Sequence, residues 1–205
     1  MSTESYREVK LIVVVSLITG MSIASHIICF DFISAGGLIL IPSSPTYMLV
    51  LALLDFLAVS FNRKIVFCTI LMESVINAIL LLIVRLCLLF QDSSKYTLSH
   101  YMNELISGYS NMYVANLTGS LTAFLINFFI FNFFYRRKGF FASSVISSVI
   151  LLLIYTPITD YLAFSKLSFS SLTGVIVTNI ITNIITFIFW SALITIWLRK
   201  DKEYA

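Results

Sequence analysis

Six long apolar runs, nearly free of charged residues, constrain the fold of this chain more than any other feature of its sequence. A helix needs about 20 predominantly apolar residues to cross the hydrocarbon core of a bilayer, and every run holds a segment of that length. The strands of outer-membrane barrels instead alternate apolar and polar residues over about 10 positions. The sequence therefore predicts an all-α membrane protein with six transmembrane helices. The runs are residues 11–30, 32–54, 65–90, 105–135, 139–159 and 167–198.

Composition excludes a soluble fold. Of the 205 residues, 59% are hydrophobic and only 11% are charged, whereas soluble domains have about 25% charged residues. A chain of this length could not hide that much apolar surface from water in one core, because burial scales with chain length. We therefore expect a single integral membrane domain over residues 1–205. The expected helices are about residues 9–31, 37–61, 65–90, 107–135, 140–164 and 171–198.

Basic residues at the flanks of the runs set the expected orientation, because cytoplasmic flanks carry an excess of Lys and Arg. With six spans, all basic clusters fall on one side of the membrane. This predicts cytoplasmic N- and C-termini in a multi-pass protein of the cell inner (cytoplasmic) membrane. The net charge of +3 is then explained by the basic cytoplasmic flanks. The basic runs are too short to form a nucleic-acid interface. The clusters are Arg7 with Lys10, Arg63 with Lys64, residues 136–138, and Arg199 with Lys200 and Lys202.

Two prolines and two serines, residues 42–45, fall inside the second run. Proline removes a backbone donor and breaks helices. Irregular backbone at membrane depth is tolerated where it is buried or lines a cavity. Helix 2 is therefore expected to be interrupted by this Pro/Ser segment, with freed carbonyls facing a pocket, or to be preceded by it as an entry turn.

Three carboxylates lie within the predicted spans. Ionisable residues in hydrocarbon are costly and mark functional sites by default. Asp55 lies in helix 2, Glu73 in helix 3 and Asp160 near the outer end of helix 5, and Asn77 shares the face of Glu73 one turn on. The alternative for each carboxylate is a structural pair or a position at the membrane surface.

Amide side chains add two polar stripes in the second half of the chain. Asn116 and Asn127 lie on the predicted helix 4, and Asn179 and Asn183 on helix 6. Amides are costly to bury in hydrocarbon, so these stripes favour a polar pocket. The serines that begin helix 5 are instead typical of close helix packing, since small and hydroxyl residues commonly join membrane helices.

No catalytic motif is present in the sequence. It contains no GxSxG, HExxH or Walker loop, and its three cysteines are scattered through the spans. We therefore expect a protein that is not an enzyme and that has no cofactor and no metal site.

The stretch "ISAGGLILIPSSPTYMLVLALLDFLAVSFNRK" resembles the second-helix signature of the queuosine precursor transporter (VUT) family. Ala35-Gly36, Pro45-Thr46-Tyr47, Asp55, Phe61 and Arg63-Lys64 stand at the positions of its pattern. The stretches "LTAFLINFFIFNFFYRRKGFF", "SSVILLLIYTPITDYLAF" and "NIITNIITFIFWSALITIWLRK" resemble its fourth, fifth and last helices. The chain departs from the pattern at Val59, where the family has a glutamate, and at Pro157, where it has a glutamine.

The resemblance implies import of a 7-deazaguanine, such as preQ0 or preQ1. The edge of a guanine-like ring offers two N–H donors that one carboxylate accepts in bidentate fashion. Aromatic side chains such as Tyr47 or Phe124 would stack on the ring. The predicted substrate-binding residues are Tyr47, Asp55, Glu73, Asn77, Asn116, Asn127, Asp160, Asn179 and Asn183.

Two other functions fit the same sequence. One is the substrate-binding subunit of a multi-component vitamin importer, which would dock onto ATPase partner subunits through small residues such as Ser16, Gly20 and Ala24. The other is a non-transporting membrane assembly protein. The expected partners are a small-molecule substrate and the lipid bilayer, with a homo-oligomer or ATPase subunits as further candidates.

Overall fold

The computed structural model describes residues 3–28, 33–35, 38–89, 119–164 and 168–203. This part of the chain is helical apart from one short hairpin, which confirms the predicted helical fold class. The six helices are α1 (Thr3–Ile28), α2 (Ser44–Ser60), α3 (Arg63–Leu89), α4 (residues 119–138), α5 (Phe140–Ala163) and α6 (Phe169–Glu203).

Three of the described helices are long and apolar enough to cross a membrane. The candidate spans are Glu4–Ser25 in α1, Phe140–Leu162 in α5 and Phe169–Lys200 in α6. Large apolar side chains also cover the outer faces of the bundle, for example Phe129 at 68% and Ile185 at 64% exposure. Extensive exposed apolar surface is the mark of an interaction with lipid or protein. The fold is therefore that of a helical membrane protein.

The helix α2 forms the core of the bundle. Every residue from Val50 to Leu57 is buried, as is typical of a helix that is apolar on nearly all sides, and Asp55 is the one charged residue of this stretch. It packs against α1, α6, α3 and α5. At a rise of about 1.5 Å per residue, its 17 residues extend about 25 Å. This is slightly less than the hydrocarbon thickness of about 30 Å.

A β-hairpin precedes α2. The strands β1 (Ile33–Ala35) and β2 (Leu38–Leu40) pair antiparallel, with Ile33 opposite Leu40, and β2 packs against α6. The prediction that helix 2 begins at residue 37 is therefore wrong. The sequence between the strands is Gly36-Gly37, and glycine pairs favour two-residue hairpin loops because both positions adopt positive φ readily.

The Pro/Ser segment is the turn at the start of α2, as the second of the two expectations had it. Ser43 occupies the N-cap position, and Pro45 lies in the first turn of the helix. Proline is tolerated there because the first backbone N–H groups of a helix have no partner within the helix. The Ser43 carbonyl accepts the first helical hydrogen bond, from the Tyr47 N–H at 3.0 Å.

The remaining helix boundaries extend beyond the apolar runs. The helix α1 begins at Thr3, and α6 continues to Glu203, because the charged residues at these ends are good helix formers and no Gly or Pro stops them. Between α4 and α5 stands Gly139 with φ of +74°, a conformation that glycine adopts without strain. The predicted start of helix 4 at residue 107 lies outside the described residues.

Candidate functional site

Asp160 anchors a buried polar group that joins α5, α6 and the start of α2. The Asn179 side-chain amide donates to both Asp160 carboxylate oxygens, at 3.2 and 3.0 Å. The Asn179 carbonyl oxygen accepts from the Asn183 amide at 3.0 Å and from the Ser44 hydroxyl at 3.2 Å. All four residues are buried. The stripe predicted on helix 6 therefore faces the interior and binds the helix-5 carboxylate. We call these four residues the Asp160 group.

Glu73 anchors a second group, between α1 and α3. Its side chain is 1% exposed. The Ser22 hydroxyl donates to Glu73 Oε1, and the Asn77 amide donates to the same oxygen at 2.5 Å and to the Ser22 hydroxyl oxygen at 3.0 Å. The other oxygen, Oε2, accepts from the Ser74 hydroxyl at 3.5 Å, the upper limit for a hydrogen bond. Glu73, Asn77 and Ser22 form the Glu73 group.

Tyr47 lies between these two groups. Its ring stacks on Phe124 with centroids 5.5 Å apart and on Tyr155 with centroids 6.5 Å apart. Glu73 lies within electrostatic range of Tyr47, and Asp160 within that of Tyr155. The stacked tyrosine pair is therefore near both carboxylates. We call Tyr47, Tyr155 and the two groups together the central polar site.

Among the polar atoms of the central polar site, the Tyr47 hydroxyl and Asn183 Oδ1 have no hydrogen bond of regular geometry within the described part of the chain. The Tyr47 hydroxyl lies beside Tyr155 without the geometry of a bond. Buried polar atoms in proteins are nearly always hydrogen-bonded, to protein or to another molecule. An acceptor and a hydroxyl beside two carboxylates are the groups that a small polar ligand would bind.

Asp55 anchors a third group, which joins α2, α4, α5 and α6. The Asn127 amide donates to Asp55 Oδ1 at 2.9 Å, and the Ser144 hydroxyl donates to Oδ2 at 2.6 Å. The Ser191 hydroxyl lies 3.2 Å from that of Ser144, and the Ser148 hydroxyl donates to Asn127 Oδ1 at 3.3 Å. We call these five residues the Asp55 group.

The structure thus brings most of the predicted site residues into two separate places. Tyr47, Glu73, Asn77, Asp160, Asn179 and Asn183 belong to the central polar site. Asp55 and Asn127 pair with one another instead, and Asp55 is eight residues beyond Tyr47, about 12 Å along α2. The predicted site residue Asn116 lies outside the described residues.

Several members of these groups were not among the predicted site residues. The serines that begin α5 stood out in the sequence but were interpreted as packing residues, and Ser144 among them donates to a carboxylate. Ser44 belongs to the Pro/Ser segment that the sequence singled out, but it was not among the predicted site residues. Ser22 and Tyr155 gave no signal, because isolated serines and tyrosines are common in membrane helices and only the packing shows what they contact.

Within the described residues, the hydrogen-bond donors to all three carboxylates are uncharged amides and hydroxyls. Such donors can be exchanged for ligand N–H groups at little electrostatic cost, whereas breaking a buried ion pair leaves an uncompensated charge. In the described part of the chain, no cluster of three or more His, Cys, Asp and Glu side chains has the arrangement of a metal site.

Comparison with protein-family models, with curated proteins and with solved structures gave no match to this chain. The resemblance to the queuosine precursor transporters therefore stays a prediction that rests on the sequence motifs.

Proposed function

We propose that this chain is a multi-pass inner-membrane transporter that imports a small polar metabolite, specifically a 7-deazaguanine such as preQ1, through the central polar site. The observation that carries the proposal is the position of two buried carboxylates, Glu73 and Asp160, around a pair of stacked tyrosines. Intramembrane carboxylates that face the interior of a bundle mark substrate or ion pathways. Sites of small transporters typically lie at the meeting of helices near the bilayer midplane.

The polar atoms of the site match the edge of a guanine-like ring. Each such ring carries an N–H and an NH2 that a carboxylate accepts together. Both Asp160 oxygens already accept from one amide nitrogen, so a ligand edge would take the place of the Asn179 amide. Among the described residues, Glu73 Oε2 accepts one long hydrogen bond, from Ser74, and a carboxylate oxygen can accept a further donor.

The aromatic side chains of the site suit a planar ligand. The rings of Tyr47 and Tyr155 are within 12° of parallel, and those of Tyr47 and Phe124 within 24°. Offset stacking of aromatic rings contributes about 0.5–1.5 kcal/mol beyond area burial. A flat bicyclic substrate that enters between such rings would gain this contribution, and a non-planar one would not.

The ends of the helices support cytoplasmic termini. Arg7 and Lys10 lie over the Phe61 and Phe56 rings, at 5.7 and 4.8 Å from the centroids, so the basic start of α1 lies at the C-terminal end of α2, close in sequence to Arg63 and Lys64. The Trp197 ring stacks on Phe56 at 4.5 Å. This stacking places the basic end of α6 at the same end of the bundle. The positive-inside rule predicts this arrangement for six spans with cytoplasmic termini.

The test is uptake of labelled preQ1 by cells that cannot synthesise it and that express this chain. We expect the wild type to accumulate the label. Glu73→Gln and Asp160→Asn should each abolish accumulation, because the amide presents an N–H where the ligand needs an acceptor. The matched control is Glu8→Gln, an exposed position on α1, with membrane levels of all variants compared by immunoblot. Uptake at the wild-type level by both site variants would contradict the proposal.

One observation favours a second candidate, the substrate-binding subunit of a multi-component importer. On α1, Ser16 and Gly20 are exposed, and a Cβ built on Gly20 meets no atom within 4 Å. Small residues on an open face allow close approach of a partner helix. Co-purification of an ATPase pair with the chain, lost in Gly20→Leu, would favour this candidate over a self-contained transporter.

A further inference from the structure

We propose that the Asp55 group is a proton-binding site, separate from the substrate site, through which a proton gradient drives transport. The coupling to transport rests on the proposed function, whereas reversible proton binding at Asp55 stands on the geometry of the group alone.

The first reason is that Asp55 is buried among uncharged partners. Its side chain is 1% exposed, and its two oxygens accept from an amide and a hydroxyl. An ionised carboxylate in an apolar interior is costly, and a proton removes that cost. Proton relays of pumps and transporters use buried carboxylates in this way.

The second reason is that the hydroxyls beside Asp55 can serve either protonation state without moving. In the ionised state, the Ser144 hydroxyl donates to Asp55 Oδ2 at 2.6 Å. Ser144 and Ser191 are 3.2 Å apart, and either hydroxyl can be the donor of that pair. In the protonated state, Oδ2 carries the hydrogen and donates to Ser144, whose own hydrogen turns toward Ser191. A serine is both donor and acceptor, so the chain of hydrogen bonds reverses intact.

The proton step balances with water as the only co-reactant. A hydronium ion on the outer side gives up its proton, an O–H bond forms at Asp55 Oδ2, and a water molecule is released. On the cytoplasmic side the same O–H bond breaks and the proton passes to water. The energy is the proton gradient itself, so no bound nucleotide is needed.

Charged side chains lie at the end of the bundle that carries Asp55, and the side-chain donors to its two oxygens that the described residues show are Asn127 and Ser144. On α1, Lys10 and Arg7 lie over the Phe56 and Phe61 rings. On α5, no titratable residue occurs from Phe140 to Ile154. Among the titratable side chains of the packed helices whose burial the structure describes, those outside the central polar site are exposed or partly exposed. They are Glu4, Tyr6 and Glu8 on α1, Arg63, Lys64 and Cys68 on α3, Tyr135 and residues 136–138 on α4, Tyr161 on α5, and Arg199 and Lys200 on α6.

Two helices connect the Asp55 group to the central polar site. On α2, Asp55 and Tyr47 are two turns apart, and Ser44 at the start of the helix donates to Asn179. On α4, Asn127 binds Asp55 while Phe124, on the preceding turn, stacks on Tyr47. A change in the hydrogen bonds of Asp55 therefore acts on α2 and α4, which also form the substrate site. Coupling between two ligands requires such shared elements.

Proton binding is tested without any substrate, by infrared difference spectroscopy of the purified full chain in nanodiscs during a change of pH. We expect acidification to produce the C=O band of a protonated carboxyl group, and Asp55→Asn to lower its area by one carboxyl. Asp160→Asn, the matched buried carboxylate, should retain the Asp55 contribution. Ser144→Ala should shift that contribution in frequency, because the carboxyl loses its hydroxyl partner. A band in Asp55→Asn with the area of the wild type would overturn the proposal.

Coupling is tested in proteoliposomes with labelled preQ1. We expect an acidic exterior to drive accumulation in the wild type, and Asp55→Asn to lose this accumulation while retaining exchange of preQ1 at equal concentrations. Gradient-driven accumulation by Asp55→Asn equal to that of the wild type would overturn the coupling. If the wild type carries no preQ1 at all, the proposed function fails, and the infrared result still decides whether Asp55 binds a proton.

Discussion

In the part of the chain that the structure describes, the buried carboxylates accept hydrogen bonds from neutral side chains. Asp160 is held by an asparagine, Glu73 by a serine and an asparagine, and Asp55 by an asparagine and a serine. Hydrogen bonds to charged groups contribute about 1.5–3 kcal/mol each, so these partners make carboxylates tolerable in a membrane bundle. They also leave the carboxylates free to exchange partners, which a transport or proton site needs.

A glycine determines how closely α4 approaches the central polar site. A Cβ built on Gly119 would lie 2.9 Å from the Tyr155 ring and hydroxyl and 3.0 Å from Thr159 Cγ2, distances at which the neighbour must move. Tyr155 in turn stacks on Tyr47. Gly119 therefore supports the geometry of the aromatic pair from outside the site.

We expect Gly119→Ala to destabilise the chain by about 1–3 kcal/mol, the usual cost of overpacking, and to lower preQ1 uptake. The measurement is the midpoint of thermal unfolding in detergent. Gly174→Ala is the control, because that position is exposed on α6 with no atom within 4 Å of a new Cβ. There, the better helix propensity of alanine should raise stability by up to about 1 kcal/mol. Equal midpoints for the two variants would contradict this interpretation of Gly119.

The two prolines within helices differ in position, one in a first turn and one in a helix interior. Pro45 lies in the first turn of α2, where a backbone N–H has no helical partner, whereas Pro157 lies inside α5. An interior proline removes a backbone hydrogen bond and contacts the carbonyl four residues before it. Pro157 is three residues before Asp160, which accepts from Asn179, so we expect it to influence the direction of the turn that carries this carboxylate.

We expect Pro157→Ala to raise the free energy of unfolding by about 1–3 kcal/mol, since the interior proline is the least favourable helix residue. Uptake should fall, because a regular helix turns Asp160 away from Asn179. Pro45→Ala is the matched control and should change stability little. Thermal unfolding and preQ1 uptake are measured together. A stabilised Pro157→Ala with full uptake would show that the proline does not position Asp160.

At the scale of the whole molecule, the sequence predicted the helical fold class, because long apolar runs have few other ways to satisfy their backbone in lipid. The three carboxylates that it singled out as candidate site residues, Asp55, Glu73 and Asp160, are buried at 5% exposure or less. The hairpin before α2 was missed, because Leu38 and its neighbours continue an apolar run and only the Gly36-Gly37 pair signals the turn.

The partners of the carboxylates could not be predicted from the sequence. Ser22 and Glu73 are 51 positions apart, and Asp55 and Ser144 are 89 positions apart. Such pairs depend on which helix faces meet, and uniformly apolar helices carry little periodic signal of their buried face. For the same reason, the residue pattern does not show that Asp55 belongs to a different polar group from Tyr47.

Saturable binding of labelled preQ1 to the purified chain tests the central claim most directly, because it asks whether the central polar site accepts a guanine-like edge. The wild type and Glu8→Gln are expected to bind alike. Asp160→Asn is expected to bind at least about tenfold more weakly, a loss of about 1.4 kcal/mol, since a carboxylate acceptor is replaced by an amide. Absence of saturable binding to the wild type, or unchanged affinity in Asp160→Asn, would contradict the assignment of this site.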